Sequence, residues 1–181
     1  MTTTQRPPKL DVKQAGHTAL QLSGQDQLAN YERLMEETAG LGGQNALNWS
    51  VRAALQPDAK GLPQVWLFLN LSTSLPLTCQ RCLGPVDVPL TIERAFRFVE
   101  TEAQAELEDD ASPEDLLVLS RDFDLAALVE DEVLMDLPVV PRHEVCPVPV
   151  KLAAADADFE EIAPKPNPFA VLAGLKGPGK H

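Results

Sequence analysis

Alternating apolar and polar positions predict three long β-strands before residue 100. The clearest pattern covers residues 47–55, where every second side chain is apolar, and a period of two over nine residues is typical of a strand with one buried face. Residues 64–71 and 86–98 alternate in the same way, and the turn-rich residues 56–61 predict a hairpin loop between the first two strands. Weaker alternation predicts two further strand regions, residues 10–22 and 116–119.

A spacing of three and four between apolar residues predicts two helices. Residues 124–137 carry the clearer stripe, with Asp124 as the N-cap and Pro138 as the residue that stops the helix. Residues 26–39 show a shorter stripe that ends at Gly40, which can close a helix because glycine tolerates a left-handed backbone. Both helices have an apolar side that has to pack on the sheet.

These elements together predict an α+β fold in a single domain over residues 1–150. We expect an antiparallel, curved sheet with two packed helices and an acidic loop inserted near one edge. Residues 151–168 are rich in Ala, Asp, Glu and Pro, a composition that does not bury enough apolar surface to fold alone. The sequence therefore predicts a flexible tail over residues 151–181, with a short apolar segment at 169–175.

The charge of the chain is concentrated in one segment. The 181 residues carry a formal net charge of −12, which excludes a protein that is basic over its whole surface. Residues 100–136 contain 14 acids and one base, so the rest of the chain is close to neutral. Residues 100–115 hold eight acids and no base. This composition is typical of a solvated loop, and the alternative is a nucleic-acid mimic or a docking loop for a basic partner such as a ribosomal protein.

The apolar runs and the number of cysteines indicate where in the cell the protein works. No apolar run reaches the roughly 18–20 residues that a membrane span needs, and the first ten residues lack the apolar core of a secretory signal. Three cysteines are an odd number, which argues against a disulfide framework. We therefore expect a cytoplasmic protein with reduced thiols and no membrane partner.

Cys79 and Cys82 form the one compact motif that could carry chemistry. Two thiols at this spacing can grip one metal ion, form a redox pair, or pack as small buried side chains. A redox pair requires the first cysteine at a helix N-terminus, whereas Gly84 and Pro85 followed by strand alternation indicate a knuckle between two strands.

His143 and Cys146 are the residues that could complete a metal site. With Cys79 and Cys82 they form a Cys3His set, which is a recognised ligand set for a structural zinc ion. The alternative is that no metal is bound. Cys79 and Cys82 then pack in a turn or hold it together, and His143 is an ordinary loop residue. Both interpretations stay open at the level of sequence.

Arg81, Arg94 and Arg97 are candidates for contact with RNA phosphates. They form a small positive patch only if they share one face of the sheet; otherwise they are scattered charges with local carboxylate partners. Motifs of common enzymes are absent, because the chain has no glycine-rich phosphate loop, no G-x-S-x-G and no HExxH. We therefore expect no catalytic residues and no small-molecule substrate.

Four motifs stand in a fixed order along the chain. They are residues 79–83 (CQRCL), residues 128–134 (LVEDEVL), residues 137–143 (LPVVPRH) followed by Cys146, and residues 165–176 (KPNPFAVLAGLK). This ordered set resembles the bacterial YceD family, the large ribosomal RNA subunit accumulation proteins, over residues 5–176. The resemblance implies a cytoplasmic, non-enzymatic protein that supports accumulation of 23S rRNA and assembly of the large (50S) subunit.

Two hypotheses about mechanism follow from the segregated charge. In the first, the strand face with Arg81, Arg94 and Arg97 contacts 23S rRNA or a pre-50S particle, while the acidic segment faces basic ribosomal proteins. In the second, the protein is an adaptor that docks basic ribosomal proteins through residues 100–115 and makes no RNA contact.

Overall fold

A computed structural model describes residues 5–57, 61–150 and 169 of the chain. The strands are β1 Lys9–Leu10, β2 Gln21–Gln27, β3 Ala46–Pro57, β4 Pro63–Thr78, β5 Pro85–Val99, β6 Asp115–Val118 and β7 Phe123–Asp124. The helices are α1 Val12–His17, α2 Glu32–Glu37, α3 Glu102–Glu108 and α4 Leu125–Met135. All of these elements lie in one compact unit that ends at Pro149.

Five strands form an open, curved sheet in the order β2-β3-β4-β5-β6. The first three pairs are antiparallel and β5 pairs with β6 in parallel, while β1 and β7 form a separate two-stranded ribbon. The α+β prediction and the three long strands are confirmed, and each strand extends beyond the predicted residues. The predicted strand at 116–119 is also present, as β6.

Alternation puts the core on one face of the sheet. Every second side chain is buried over residues 47–53 of β3 and 65–71 of β4, namely Leu47, Trp49, Val51 and Ala53 and then Val65, Leu67, Leu69 and Leu71. The helices α1 and α4 pack against strands of this sheet. The opposite face carries mostly polar side chains such as Asn48 and Asn70.

The predicted helix at 124–137 is confirmed as α4. The Asp124 carboxylate accepts a hydrogen bond from the backbone N–H of Ala127 at 3.0 Å, which satisfies one of the free donors of the first turn. Leu125, Val129 and Val133 are fully buried. The helix ends at Met135, two residues earlier than predicted.

The prediction of a helix over 26–39 is wrong in its first half. Asp26 and Gln27 end strand β2, because Asp26 pairs with Leu47 and its carboxylate accepts from the Gln27 N–H at 2.8 Å. A 3-10 turn over Leu28–Asn30 then leads into α2. The predicted closing role of Gly40 is confirmed, since it has φ +79° and donates to the Met35 carbonyl at 2.8 Å.

Two helices replace elements that the sequence predicts as strand or loop. Within residues 10–22 the structure has α1, whose N-cap Asp11 accepts from the Gln14 N–H at 3.0 Å. The acidic residues 100–115 contain α3 and a further 3-10 turn, so the prediction of an open loop is wrong there. The described residues therefore hold four helices where the sequence predicts two.

The predicted tail at 151–181, with its apolar segment at 169–175, lies outside the described residues except for Phe169. No helix in the described part of the chain combines the length and the apolar character that a membrane crossing needs.

Candidate metal centre and the predicted arginine face

Cys79 and Cys82 lie in a tight turn between β4 and β5, here called the knuckle (residues 79–84). The Leu83 N–H donates to the Cys79 carbonyl at 2.9 Å, and the Cys79 N–H donates to the Gly84 carbonyl at 2.8 Å. Leu83 closes the turn with a left-handed backbone at φ +59°. The predicted position between two strands is confirmed, and Cys79 is not at a helix N-terminus as a redox pair would require.

His143 and Cys146 come from the irregular loop after α4, here called the proline loop (residues 138–149). Four prolines at 138, 141, 147 and 149 keep this segment out of helix and sheet. The Gln80 N–H donates to the Pro141 carbonyl at 2.8 Å, so the proline loop lies directly against the knuckle. This contact carries His143 and Cys146 to the end of the sheet where the two other cysteines lie.

The four side chains converge on one point. The ligand atoms of Cys79, Cys82, His143 and Cys146 all lie within 4.8 Å of one another, and Sγ of Cys82 is 3.5 Å from Nδ1 of His143. In a tetrahedral zinc site with Zn–S of about 2.3 Å and Zn–N of about 2.0–2.1 Å, sulfur and nitrogen ligands are roughly 3.6 Å apart. The group could therefore hold a metal ion without rearrangement of the backbone.

Burial and hydrogen bonding differ among the three thiols. Cys79 is fully buried and Cys82 and Cys146 are half-buried, and all three are free of disulfides. Burial raises the pKa of Cys79, but hydrogen bonds from the backbone of Cys82, His143 and Arg81 outweigh it and lower the pKa to about 5. Burial and the neighbouring thiols raise the pKa of Cys146. Such backbone donors stabilise a thiolate, which is the form of cysteine that binds metal.

Arg97 is buried on the polar face of the sheet, opposite the core. In the register of β4 and β5 it lies opposite Trp66. Its guanidinium is 2.7 Å from the carboxylates of Glu108 and Glu114, and it also donates to Gln64 and Ser112. This residue therefore holds the acidic segment against the sheet, and its side chain is only 9% exposed.

Arg94 lies on the other face. It is opposite Leu69, a core residue, and side chains directly opposite each other in an antiparallel pair project to the same face. Its Nε donates to Glu132 of α4 at 3.1 Å. Burial raises the pKa of Glu132 above its ordinary value, and the hydrogen bond and charge of Arg94 oppose that rise.

The structure does not bring the three predicted arginines onto one face. Arg94 and Arg97 project to opposite sides of β5 and each has a carboxylate partner, as in the alternative of local partners. Arg81, in the knuckle, is exposed and forms no ion pair with any described residue. The sequence analysis does not include Arg142 among the candidate phosphate-binding arginines. Arg142 is exposed and directly precedes His143, and this adjacency to a candidate metal ligand is the signal that identifies it.

The acidic segment has an ordered inner side and an exposed outer side. Thr101 caps α3 by accepting from the Gln104 N–H at 3.2 Å, and no residue of α3 is buried. Glu108 faces Arg97, whereas Glu102, Glu106, Asp109 and Asp110 are exposed. The exposed carboxylates thus lie on a defined surface at one edge of the sheet.

Comparison with known proteins points to one family. The family model described as "Large ribosomal RNA subunit accumulation protein YceD" matches residues 67–176, a stretch that contains most of β4 and all of β5, the knuckle, α4 and the proline loop. A protein of that name from Haemophilus influenzae is 40% identical over 110 residues. The matched stretch is 59% of this chain and 63% of that relative. No solved structure matches the chain.

Proposed function

Because this chain belongs to the YceD family of large ribosomal RNA subunit accumulation proteins, we propose that it supports accumulation of 23S rRNA and assembly of the large ribosomal subunit. It does so in the cytoplasm, by binding rRNA or a pre-50S particle. The observation that carries this proposal is the match over residues 67–176, which includes every residue of the candidate metal centre.

We propose a structural zinc ion for the Cys3His group. Cys79, Cys82, His143 and Cys146 have the ligand types that zinc prefers, and four protein ligands leave no open position for substrate or water. A bound zinc ion would tie the proline loop to the knuckle, which otherwise meet through the hydrogen bond between Gln80 and Pro141. This centre therefore has a role in folding and in shaping a surface, and not in catalysis.

A non-enzymatic role agrees with the groups that line one cavity of the structure. This cavity of about 940 Å³ lies where β3 and β5 end and β4 begins, beside Lys13, His17 and Arg97. Two of its three carboxylates, Glu108 and Glu114, are bonded to Arg97 and hold the acidic segment against the sheet, and the third, Glu100, lies 3.7 Å from the Lys13 ammonium. The family description names an accumulation protein and not an enzyme.

Among the three arginines predicted to contact rRNA, the proposal retains Arg81. Arg94 and Arg97 already satisfy their charges with Glu132, Glu108 and Glu114. Breaking such partly buried pairs for a phosphate would take the arginine partner away from these carboxylates, which is costly. Arg81 can meet a phosphate without that cost.

The decisive experiment is co-sedimentation of the tagged protein with ribosomal particles in cell extracts. The proposal predicts that the protein migrates with pre-50S particles, and that depletion lowers the ratio of 23S to 16S rRNA. An unchanged rRNA ratio together with migration only at the top of the gradient would contradict it. Deletion of a protein without a ribosomal role serves as the control for growth rate.

The exposed acids of α3 favour one second candidate, the adaptor without RNA contact. Glu102, Glu106, Asp109 and Asp110 present negative charge on an ordered surface that a basic ribosomal protein could bind. Titration of purified 23S rRNA at several salt concentrations separates the two candidates. Direct phosphate contact gives a linear fall of log K with log salt, whereas the adaptor gives no binding to naked RNA.

A further inference from the structure

Two contacts join the segment that carries Arg81 to the segment that carries Arg142. The Gln80 N–H binds the Pro141 carbonyl at 2.8 Å, and Sγ of Cys82 lies 3.5 Å from Nδ1 of His143. Arg81 stands between Gln80 and Cys82, and Arg142 stands between Pro141 and His143. The knuckle and the proline loop therefore lie against each other at positions that flank both arginines.

Both arginines are exposed, and neither forms an ion pair with a described residue. In this they differ from Arg33, Arg94 and Arg97, each of which has a carboxylate within 3.2 Å. No carboxylate of the described residues pairs with either guanidinium group, so both are available to an anion supplied from outside the chain.

The metal ligands fix the position of this pair. Arg81 lies between two ligands of the candidate centre, Cys79 and Cys82, and Arg142 directly precedes the third, His143. A metal ion that joins the two segments would hold both guanidinium groups on one surface before any partner arrives. Prepositioned arginines bind a phosphate group at a smaller entropic cost than arginines on separate mobile loops.

We propose that Arg81 and Arg142 form a phosphate clamp for the RNA backbone, and that the metal centre assembles it. This inference rests on the proposed function, because it locates the surface through which the protein would meet ribosomal RNA. RNA is the partner that the chemistry favours, since a phosphodiester is an anion that guanidinium groups bind with paired hydrogen bonds.

The test measures binding of a fluorescent 23S rRNA transcript to the zinc-loaded full chain at several salt concentrations. The variant Arg81→Gln plus Arg142→Gln is compared with Arg121→Gln, which removes an exposed arginine without an ion pair elsewhere on the surface. Because each lost phosphate contact reduces the salt slope by about one, we expect the double variant to reduce the slope by about two. Its affinity falls at least about tenfold at low salt, and Arg121→Gln leaves both quantities unchanged.

A second arm removes the metal with a chelator and then restores zinc. Metal removal lowers the RNA affinity of the wild type to the level of the double variant, and the double variant itself changes little. Zinc affinity is measured in parallel, since the arginines could instead only balance the negative charge of a metal-bound thiolate cluster. A double variant that binds zinc more weakly but RNA as well as the wild type would overturn the clamp.

The outcomes separate the clamp from the function on which it rests. If the wild type and the double variant bind RNA equally, the clamp is wrong and RNA binding stands. If the wild type does not bind RNA but migrates with pre-50S particles, the clamp and direct RNA contact are wrong and the ribosomal role stands. If the protein neither binds RNA nor migrates with particles, the proposed function fails as well.

Discussion

Sγ of Cys82 lies 3.5 Å from Nδ1 of His143, although the two residues are 61 positions apart in the chain. The contact joins the turn between β4 and β5 to the loop that follows α4. A metal ion at this point would close a long segment that contains β5, α3, β6 and α4. Its binding free energy would therefore act on the fold as a whole and not only on the loop.

Replacement of His143 tests the metal centre directly. We expect one zinc ion per wild-type chain, and His143→Ala to lower zinc affinity by more than about 100-fold, because loss of a ligand costs more than loss of an outer-shell partner. Competition with a chromogenic chelator measures the affinity. His17→Ala, which removes a histidine outside the group, is the matched control and should bind zinc as the wild type does. A zinc-free wild type would contradict the prediction.

Arg97→Met removes the cation that holds the acidic segment. Glu108 and Glu114 then lose the buried guanidinium that they share, so we expect a loss of about 2–4 kcal/mol in the free energy of unfolding. For a chain of this size that corresponds to a fall in Tm of about 4–16 °C. Lys9→Met breaks an exposed ion pair with Asp122 and should leave the free energy of unfolding nearly unchanged. Equal losses in thermal denaturation would show that Arg97 is not a special anchor.

Glu132 predicts a dependence of stability on pH. Since burial raises the pKa of Glu132 in the folded protein above its ordinary value of 4.5, the folded state binds this proton more tightly than the unfolded chain does. Its contribution to stability is present at acid pH and is lost as the pH rises through the raised pKa. We expect the free energy of unfolding of Glu132→Gln, relative to wild type, to increase as the pH rises from the ordinary carboxyl value of 4.5 through the raised pKa.

Urea unfolding at several pH values measures this difference. Glu106→Gln, at an exposed position of α3, controls for the loss of one negative charge. A relative stability of Glu132→Gln that stays constant or falls as the pH rises would show that the carboxylate of Glu132 is not destabilised by burial.

Glycine substitutions at two exposed leucines, Leu83 and Leu107, should change the stability of the protein in opposite directions. Leu83 has φ +59°, a conformation that costs a residue with a Cβ about 1–2 kcal/mol, so Leu83→Gly should stabilise the zinc-loaded protein by about 1 kcal/mol. Leu107 lies in α3, where glycine costs about 1 kcal/mol. Leu83→Gly and Leu107→Gly should therefore shift the urea midpoint in opposite directions. A loss of stability in Leu83→Gly would mean that its side chain supports the knuckle.

The sequence predicts the long strands well because their alternation is local and extends over many residues. The strands β3, β4 and β5 each contain at least twelve residues, so the pattern dominates single exceptions. The helix α1 has only six residues, one of which is Gly16. A segment of that length is too short for a helical stripe of apolar residues to be distinguished from the alternation of a strand. The sequence does not predict α3, because its high density of acids is typical of a solvated loop. The helix is stabilised by the N-cap Thr101 and by the ion pair of Glu108 with Arg97, and the second of these is a tertiary contact.

The candidate site was only partly predictable. The Cys3His group is predictable from the sequence, because cysteine and histidine are the main zinc ligands and the chain has only three of each. A shared face for the three arginines is a wrong prediction, and the spacing of two of them already argues against it. Arg94 and Arg97 are three residues apart, and an odd spacing in a regular strand puts two side chains on opposite faces. Their carboxylate partners come from α3, α4 and the segment before β6, and no local pattern identifies such contacts.

The parallel pairing of β5 with β6 gives the acidic segment a second role. Strands that run in the same direction cannot be joined by a tight turn, because the chain has to travel back along the sheet before it re-enters. Residues 100–114 are that return path. A deletion made to remove the negative charge would therefore also cut the tether of β6, and neutral substitutions at the exposed acids are the way to separate charge from connectivity.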